Sequence, residues 1–308
     1  MPINTAEMLD KIKARQWALA DIDWDAPGAE LITDEQRPAL KQFMTDIVWV
    51  EQLGACGFKA LEQKVSEPAL KEIYRFFQAE EQRHANAELA LMHRWDMLEE
   101  GDEIPEPNIN IRIVMRWLDR NVDKMSLSMV GTFIPMAEVA LDGALVKFLL
   151  DEVADPVCHE TFDKINADES RHLAVDFHLL ELLGAPRLRR LLINTVGTFI
   201  SPSVLIGLVE VAPLLSRVRN SMIEMGLPEE KLYRAIRRFG EVGDKSPTTP
   251  RNPVYRVVKA YGNMIIDRHH PFHRFVGDPL VRMSDHYPRW LLGEKPSWVH
   301  TLTHQPQA

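Results

Sequence analysis

Cysteine is almost absent: Cys56 and Cys158 are the only two in 308 residues. Two thiols exclude a disulfide framework and a four-thiolate metal site. Strand signals are missing too, since no alternating β-branched run is bounded by tight hairpin turns. Tyrosine is sparse, and Tyr74 is the only one in residues 1–184. Glycine (15) and proline (20) are too few for a collagen-like or low-complexity chain. Residues 1–7 carry no basic stretch followed by an apolar run. A secretory leader is therefore not expected, and the expected location is the cytoplasm, under reducing conditions. A basic excess is also lacking: the net charge is −9, which argues against a general nucleic-acid binder. The most apolar stretch, residues 191–215, is interrupted by Asn194, Pro202, Glu210 and Pro213. No transmembrane span is expected there. The stretch reads as a helix packed on its neighbours, as a wall of an apolar substrate cavity, or as a membrane-touching face.

What is present is helical periodicity. A first helix is expected over about 34–64, capped by Thr33 or Asp34. A second runs to about residue 100, with Ser66 as cap and Pro68 in its first turn. Residues 101–107 form a polar, proline-containing connector. A third stretch, about 110–153, is expected to bend near Pro135. A fourth covers about 156–183 and stops at Gly184-Ala185-Pro186. Residues 228–268 read as two more helices around a loop at 243–253, and the last forty residues lack clear periodicity. The fold class is therefore all-α. Residues 34–184 are expected to form four long helices in two pairs, a four-helix bundle. Residues 1–33 form an N-terminal extension, and residues 185–308 a C-terminal helical extension packed on the bundle. Charge divides along the same line, −17 over residues 1–184 and +8 over 185–308, which suggests two parts with different jobs.

One internal repeat carries chemistry. Glu80-Glu81-Gln82-Arg83-His84 and Asp168-Glu169-Ser170-Arg171-His172 share the pattern acid-Glu-x-Arg-His. Residues three apart project from one helix face. Glu81 with His84, and Glu169 with His172, thus each offer half of a metal site. Glu51 is the only charge in residues 47–58, and Glu138 the only charge in residues 129–141. A carboxylate on an apolar face is costly unless it is paired or binds a metal. Thirty residues separate Glu51 from Glu81, and 31 separate Glu138 from Glu169, the reach of one helix hairpin each. Two divalent ions would neutralise the four carboxylates, and mixed carboxylate and imidazole donors suit iron or manganese better than zinc. Glu51, Glu81, His84, Glu138, Glu169 and His172 are the candidate metal ligands, and so the candidate catalytic residues. His93, His159 and His178 fall off the ligand spacing, and His269-His270-Pro271-Phe272-His273 has no accompanying acids. Cys56 reads either as a buried structural thiol or as a border of the pocket.

One Glu from each of two helices plus a Glu-x-x-His from each of two others is the donor set of carboxylate-bridged di-iron bundles. Over residues 34–184 the sequence resembles the ferritin-like di-iron carboxylate superfamily, in its oxygenase and oxidase branch. The Glu-x-Arg-His form is similar to that of bacterial multicomponent monooxygenase hydroxylases and acyl-carrier-protein desaturases. The segment Asp21-Ile22-Asp23-Trp24-Asp25-Ala26-Pro27 resembles, in part, the p-aminobenzoate N-oxygenase group. That group has an additional His one turn before the second Glu-x-x-His, where this chain has Ile165. The resemblance implies a ferritin-like bundle, two iron ions (or iron and manganese) and O2 as co-substrate. It offers Glu80 and Asp168 as partners that hold the histidine tautomers, with Arg83 and Arg171 paired to them; otherwise these are surface charges.

The same resemblance narrows the function. A ferritin shell subunit is little more than the bundle, whereas over 120 residues lie beyond it here. A rubrerythrin needs four cysteines for its second centre. The radical subunit of ribonucleotide reductase has a Tyr four residues after the first His ligand, and this chain has Glu88. What remains is an O2-activating non-haem di-iron oxygenase or oxidase using external electrons. Its substrate is expected to be an apolar or aromatic organic molecule, and its chemistry hydroxylation, desaturation or N-oxygenation. The other reading is an iron-handling ferritin-like protein for Fe(II) oxidation or storage, or a non-catalytic metal-binding bundle. Gly54, Ala55, Gly57, Gly131, Thr132 and Ala137 either leave a cavity beside the metals or let helices pack closely. Asp142 either relays protons or faces solvent. Expected partners are a small organic substrate and an electron donor such as a ferredoxin or reductase. The basic clusters Arg187, Arg189, Arg190 and Arg234, Arg237, Arg238 fit an acidic partner, among them an acyl carrier protein. A homodimer stays open; nucleic acid and membrane are not expected.

Overall fold

The computed structural model describes residues 3–99, 101–141, 149–150, 153–183, 213–214, 216–217, 220, 229–267 and 269–296. Among them all regular structure is helical. The helices are α1 (Thr5–Lys13), α2 (Arg37–Lys64), α3 (Pro68–Arg94), α4 (Ile109–Asn121), α5 (Leu127–Leu141), α6 (Pro156–Leu183), α7 (Glu229–Gly243), α8 (Pro253–Ile266) and α9 (Asp278–Asp285). Short helical turns link several of them. Among the described residues no helix is long and apolar enough to cross a membrane. The expected stop at 184–186, most of the apolar stretch 191–215, Asp142, Arg187, Arg189 and Arg190 lie outside the described residues.

α2 and α3 pack side by side along their length, α5 packs on α6 and α2, and α3 on α6. Each of the four buries a stripe at helical spacing. On α2 it runs through Met44, Ile47, Glu51, Ala55 and Phe58; on α3 through Leu70, Tyr74, Phe77, Glu81, His84 and Glu88. On α6 it passes Phe162, Ile165, Glu169, His172 and Val175. The acids and histidines therefore sit inside otherwise apolar stripes. One hydrophobic cluster joins Ile47, Trp95, Met136 and Phe162 to Phe239, Tyr255 and Val258. α7 and α8 thus share the core of the preceding helices, and each contacts α5.

Several expected boundaries shift. The third stretch is not one helix bent at Pro135. It breaks at Val122–Lys124, a tight turn between α4 and α5. There the Asn121 carboxamide donates to the Trp117 carbonyl at 2.9 Å, and Ser126 Oγ accepts from the Met129 N–H at 3.2 Å, opening α5. Such short polar side chains compete with helical hydrogen bonds. Pro135 instead lies inside α5, where it removes the one bond to the Gly131 carbonyl. Ser66 is not the cap of α3; Glu67 takes that position without a side-chain bond, and Pro68 opens the helix as expected. α3 ends at Arg94 rather than near 100, because Asp96 turns left-handed at φ 55°. Asp96 N–H bonds to His93 O at 3.0 Å and Met97 N–H to Met92 O at 2.9 Å, the paired closure of a Schellman end. Before α2, Thr33 and Gln36 exchange hydrogen bonds, Gln36 Oε1 accepting from Thr33 N–H at 3.1 Å. α1, capped by Asn4, and the short α9 went unforeseen. The connector is tied down by Trp49 Nε1, which donates to Pro105 O at 2.8 Å.

Candidate metal centre

All six predicted residues converge and all are buried, none more than 7% exposed. They fall into two four-residue groups, Glu51, Glu81, His84 with Glu169, and Glu81, Glu138, His172 with Glu169. Within each group the candidate ligand atoms lie within 4.8 Å of one another. Glu81 and Glu169 belong to both. The histidine rings lie 6.0 Å apart between centroids. His172 is wedged against Phe77 and Phe58, at 4.1 and 5.1 Å.

Each imidazole turns Nδ1 inward. His84 Nδ1 lies 3.0 Å from Glu169, 3.6 Å from Glu51 and 3.9 Å from Glu81, yet it has hydrogen-bond alignment with none of them. His172 Nδ1 lies 3.0 Å from Glu169 and 3.1 Å from Glu81. Glu81 Oε1 also makes no hydrogen bond. A buried imidazole nitrogen and a buried carboxylate oxygen without hydrogen bonds, aimed at one point, are what a cation would satisfy. The donor set fits a hard or borderline divalent metal. Charge agrees. Burial, then the charges of Glu51 and Glu169, push the Glu81 carboxyl well above its usual range. Burial pulls both histidines down, but surrounding carboxylates outweigh it and hold them well above the usual imidazole range. Without a metal the cluster thus retains protons that cations would displace.

The outer nitrogens are held crosswise. His84 Nε2, on α3, lies 3.1 Å from Asp168 Oδ2 on α6. His172 Nε2, on α6, lies 2.8 Å from Glu80 Oε2 on α3. Glu80 and Asp168 are buried, not surface charges. Arg83 reaches Asp168 at 3.1 Å, and Arg171 contacts both Asp168 and Glu80. The sequence reading missed two further members. Trp17 Nε1 donates to Asp168 Oδ2 at 2.8 Å, its ring under the Arg83 guanidinium at 4.8 Å. Gln16 donates to Glu80 at 2.5 Å. It also missed Asp176, one turn after His172, which accepts from Tyr74 Oη at 3.1 Å. Burial raises the Asp176 carboxyl to about 7.

A cavity of about 170 Å³ opens beside the cluster. Glu51, Glu81, Glu138 and Glu169 are its polar lining; the remaining wall is apolar, including Leu53, Val114, Trp117, Phe133, Ile134 and Phe162. The small residues divide. Gly54 and Ala137 line the cavity, as does Gly57. A side chain on Gly57 would strike Ile134, and one on Gly131 would strike Leu179, so both also serve close packing. Thr132 is buried with its hydroxyl donating to Ser128 O at 2.6 Å. Cys56 borders a different, polar cleft with Gln52 and Lys59, and burial pushes its thiol up to about 12. His93, His159, His178, His269, His270 and His273 join neither metal-type group among the described residues. Arg234 and Arg238 are exposed, while Arg237 pairs with Glu230. Comparison with protein-family models, with curated proteins and with solved structures finds no match to this chain.

Proposed function

We propose that α2, α3, α5 and α6 are a ferritin-like four-helix bundle that holds two iron ions, or iron and manganese, and uses them as an O2-activating oxygenase or oxidase. The observation that carries this reading is the sharing of Glu81 and Glu169 between two four-donor groups. Glu51 and His84 would hold one ion and Glu138 and His172 the other, with Glu81 and Glu169 reaching both. A bound pair of such ions supplies the redox chemistry that reduces O2 with electrons from an external donor such as a ferredoxin or reductase. The chain's own residues do the rest. Asp168 and Glu80 hold the Nε2 protons, leaving the Nδ1 lone pairs directed at the centre. The apolar wall excludes water and favours an uncharged group. Its volume, about 170 Å³, is close to that of an apolar cavity of ~150 Å³ that accepts benzene. The substrate would therefore present a single ring or a short alkyl segment.

That cavity also favours an organic oxidation over iron handling. A hydrated Fe(II) ion would lose its water against an apolar wall at high cost. Single turnover decides between them. The Fe(II)-loaded protein is exposed to O2 with and without small apolar probes such as toluene or short alkanes, followed by optical spectra and product analysis. An oxidised probe supports the oxygenase reading. Continued oxidation of excess Fe(II) without product would support iron handling, and inertness to O2 would contradict both.

A further inference from the structure

Gly54 lies one turn after Glu51 on α2 and lines the apolar cavity. A Cβ at this position would fall 2.1 Å from Glu81 Oε2 and 3.0 Å from Glu81 Cδ. The first distance is far inside van der Waals contact, so the carboxylate occupies the volume that a side chain would take. No other described glycine stands so against a candidate ligand: the Cβ of Gly57 would meet Ile134 at 2.7 Å, and that of Gly131 would meet Leu179 at 2.7 Å. Glycine in a helix interior is disfavoured relative to alanine. Its presence at 54 therefore answers to the neighbour across the helix pair, not to α2 itself.

Glu81 is hemmed in on the side of the histidines, while its other side opens on the cavity. It is 4% exposed, and its Oε1 lies 3.1 Å from His172 Nδ1 and 3.9 Å from His84 Nδ1. We propose that Gly54 is a positioning residue of the metal centre. The missing side chain forms a slot for the Glu81 carboxylate, so that one oxygen faces both histidines while the other rests over Gly54 beside the cavity. This rests on the metal reading above. A methyl group at 54 would press on the far end of a flexible side chain, which can swing aside without moving backbone. The fold would survive and the shared ligand would be lost from its place.

The test combines anaerobic Fe(II) titration with melting of the metal-free protein, for wild type, G54A, G57A, E81A and the double variant G54A/E81A. Wild type should bind two ions. G54A should melt like wild type without metal but bind at least one ion about tenfold or more weakly, the scale on which mis-set ligands act. G57A should lower the metal-free melting temperature and keep both ions. Adding G54A to E81A should change metal binding no further, because the two act through one contact. The proposal is overturned if G54A binds both ions with wild-type affinity, if G57A weakens binding as much as G54A, or if G54A costs the same with Glu81 already removed. Wild type failing to bind metal would overturn the metal reading and this inference together; an unaffected G54A beside a two-metal wild type would overturn this inference alone.

Discussion

Asp168 gathers more donors than any candidate ligand does. Trp17, Arg83 and His84 meet it at 2.8, 3.1 and 3.1 Å, and Arg171 joins them. Burial alone would raise its carboxyl, but His84, Trp17 and Arg83 outweigh that and hold it well below the usual range. It therefore stays an anion and fixes the His84 ring. Replacing it by Asn, or Glu80 by Gln, should weaken metal binding by about 10–100-fold with every ligand still present. Metal titration checks this, and unchanged affinity in both variants would show that the crosswise bonds do not set the ring orientations. The repeated acid-Glu-x-Arg-His pattern singled out Glu80 and Asp168 but left them open between surface charges and partners of the histidines, the second role coming only from the resemblance. Trp17 and Gln16 were not legible. They come from a segment between α1 and α2 with no periodicity, and only tertiary packing brings them to the centre. Asp176 also escaped, because an acid in a helix ordinarily faces solvent.

Between elements, Asp155 ties two helix ends together. Its carboxylate accepts from Arg94 Nε at 2.7 Å, from Trp95 Nε1 at 2.7 Å and from the Val157 N–H at 3.0 Å. The C-terminal end of α3 is thereby fixed to the first turn of α6, which keeps His84 and Glu169 in register. Asp155 is fully buried. Burial pushes its carboxyl up, but Arg94, Trp95 and the Val157 N–H prevail and lower it. A lowered native pKa means that its stabilisation is complete above the unfolded value of about 3.9 and fades as pH falls through the native one. D155N should cost about 3 kcal/mol near neutral pH by leaving Arg94 buried and unpaired. The gap to wild type should close only below about pH 4. Denaturant melts over a pH series measure it, and a gap that closes near neutrality would contradict this role. The sequence showed that α3 and α6 exist, and α6 begins at Pro156 as expected. It did not show the break at 122–126, because Asn121 and Ser126 act through local side-chain bonds that leave the hydrophobic period almost undisturbed.

At the scale of the molecule, four buried carboxylates share one core with an apolar cavity and with α7 and α8. Burial of so many acids is hard to sustain unless cations neutralise them. Each of Glu51 and Glu138 should therefore contribute more to metal binding than to folding. Changing either to Gln keeps its shape and removes its charge. The metal-free variant should be as stable as wild type or slightly more so, while Fe(II) should stabilise it less, because a ligand stabilises the fold in proportion to its affinity for the native state. The most direct measurement is thermal melting of wild type, E51Q and E138Q under anaerobic conditions, each with and without Fe(II). The account predicts a clear upward shift for wild type on adding Fe(II) and a smaller one for both variants. Equal shifts in all three, or none in wild type, would contradict the metal centre.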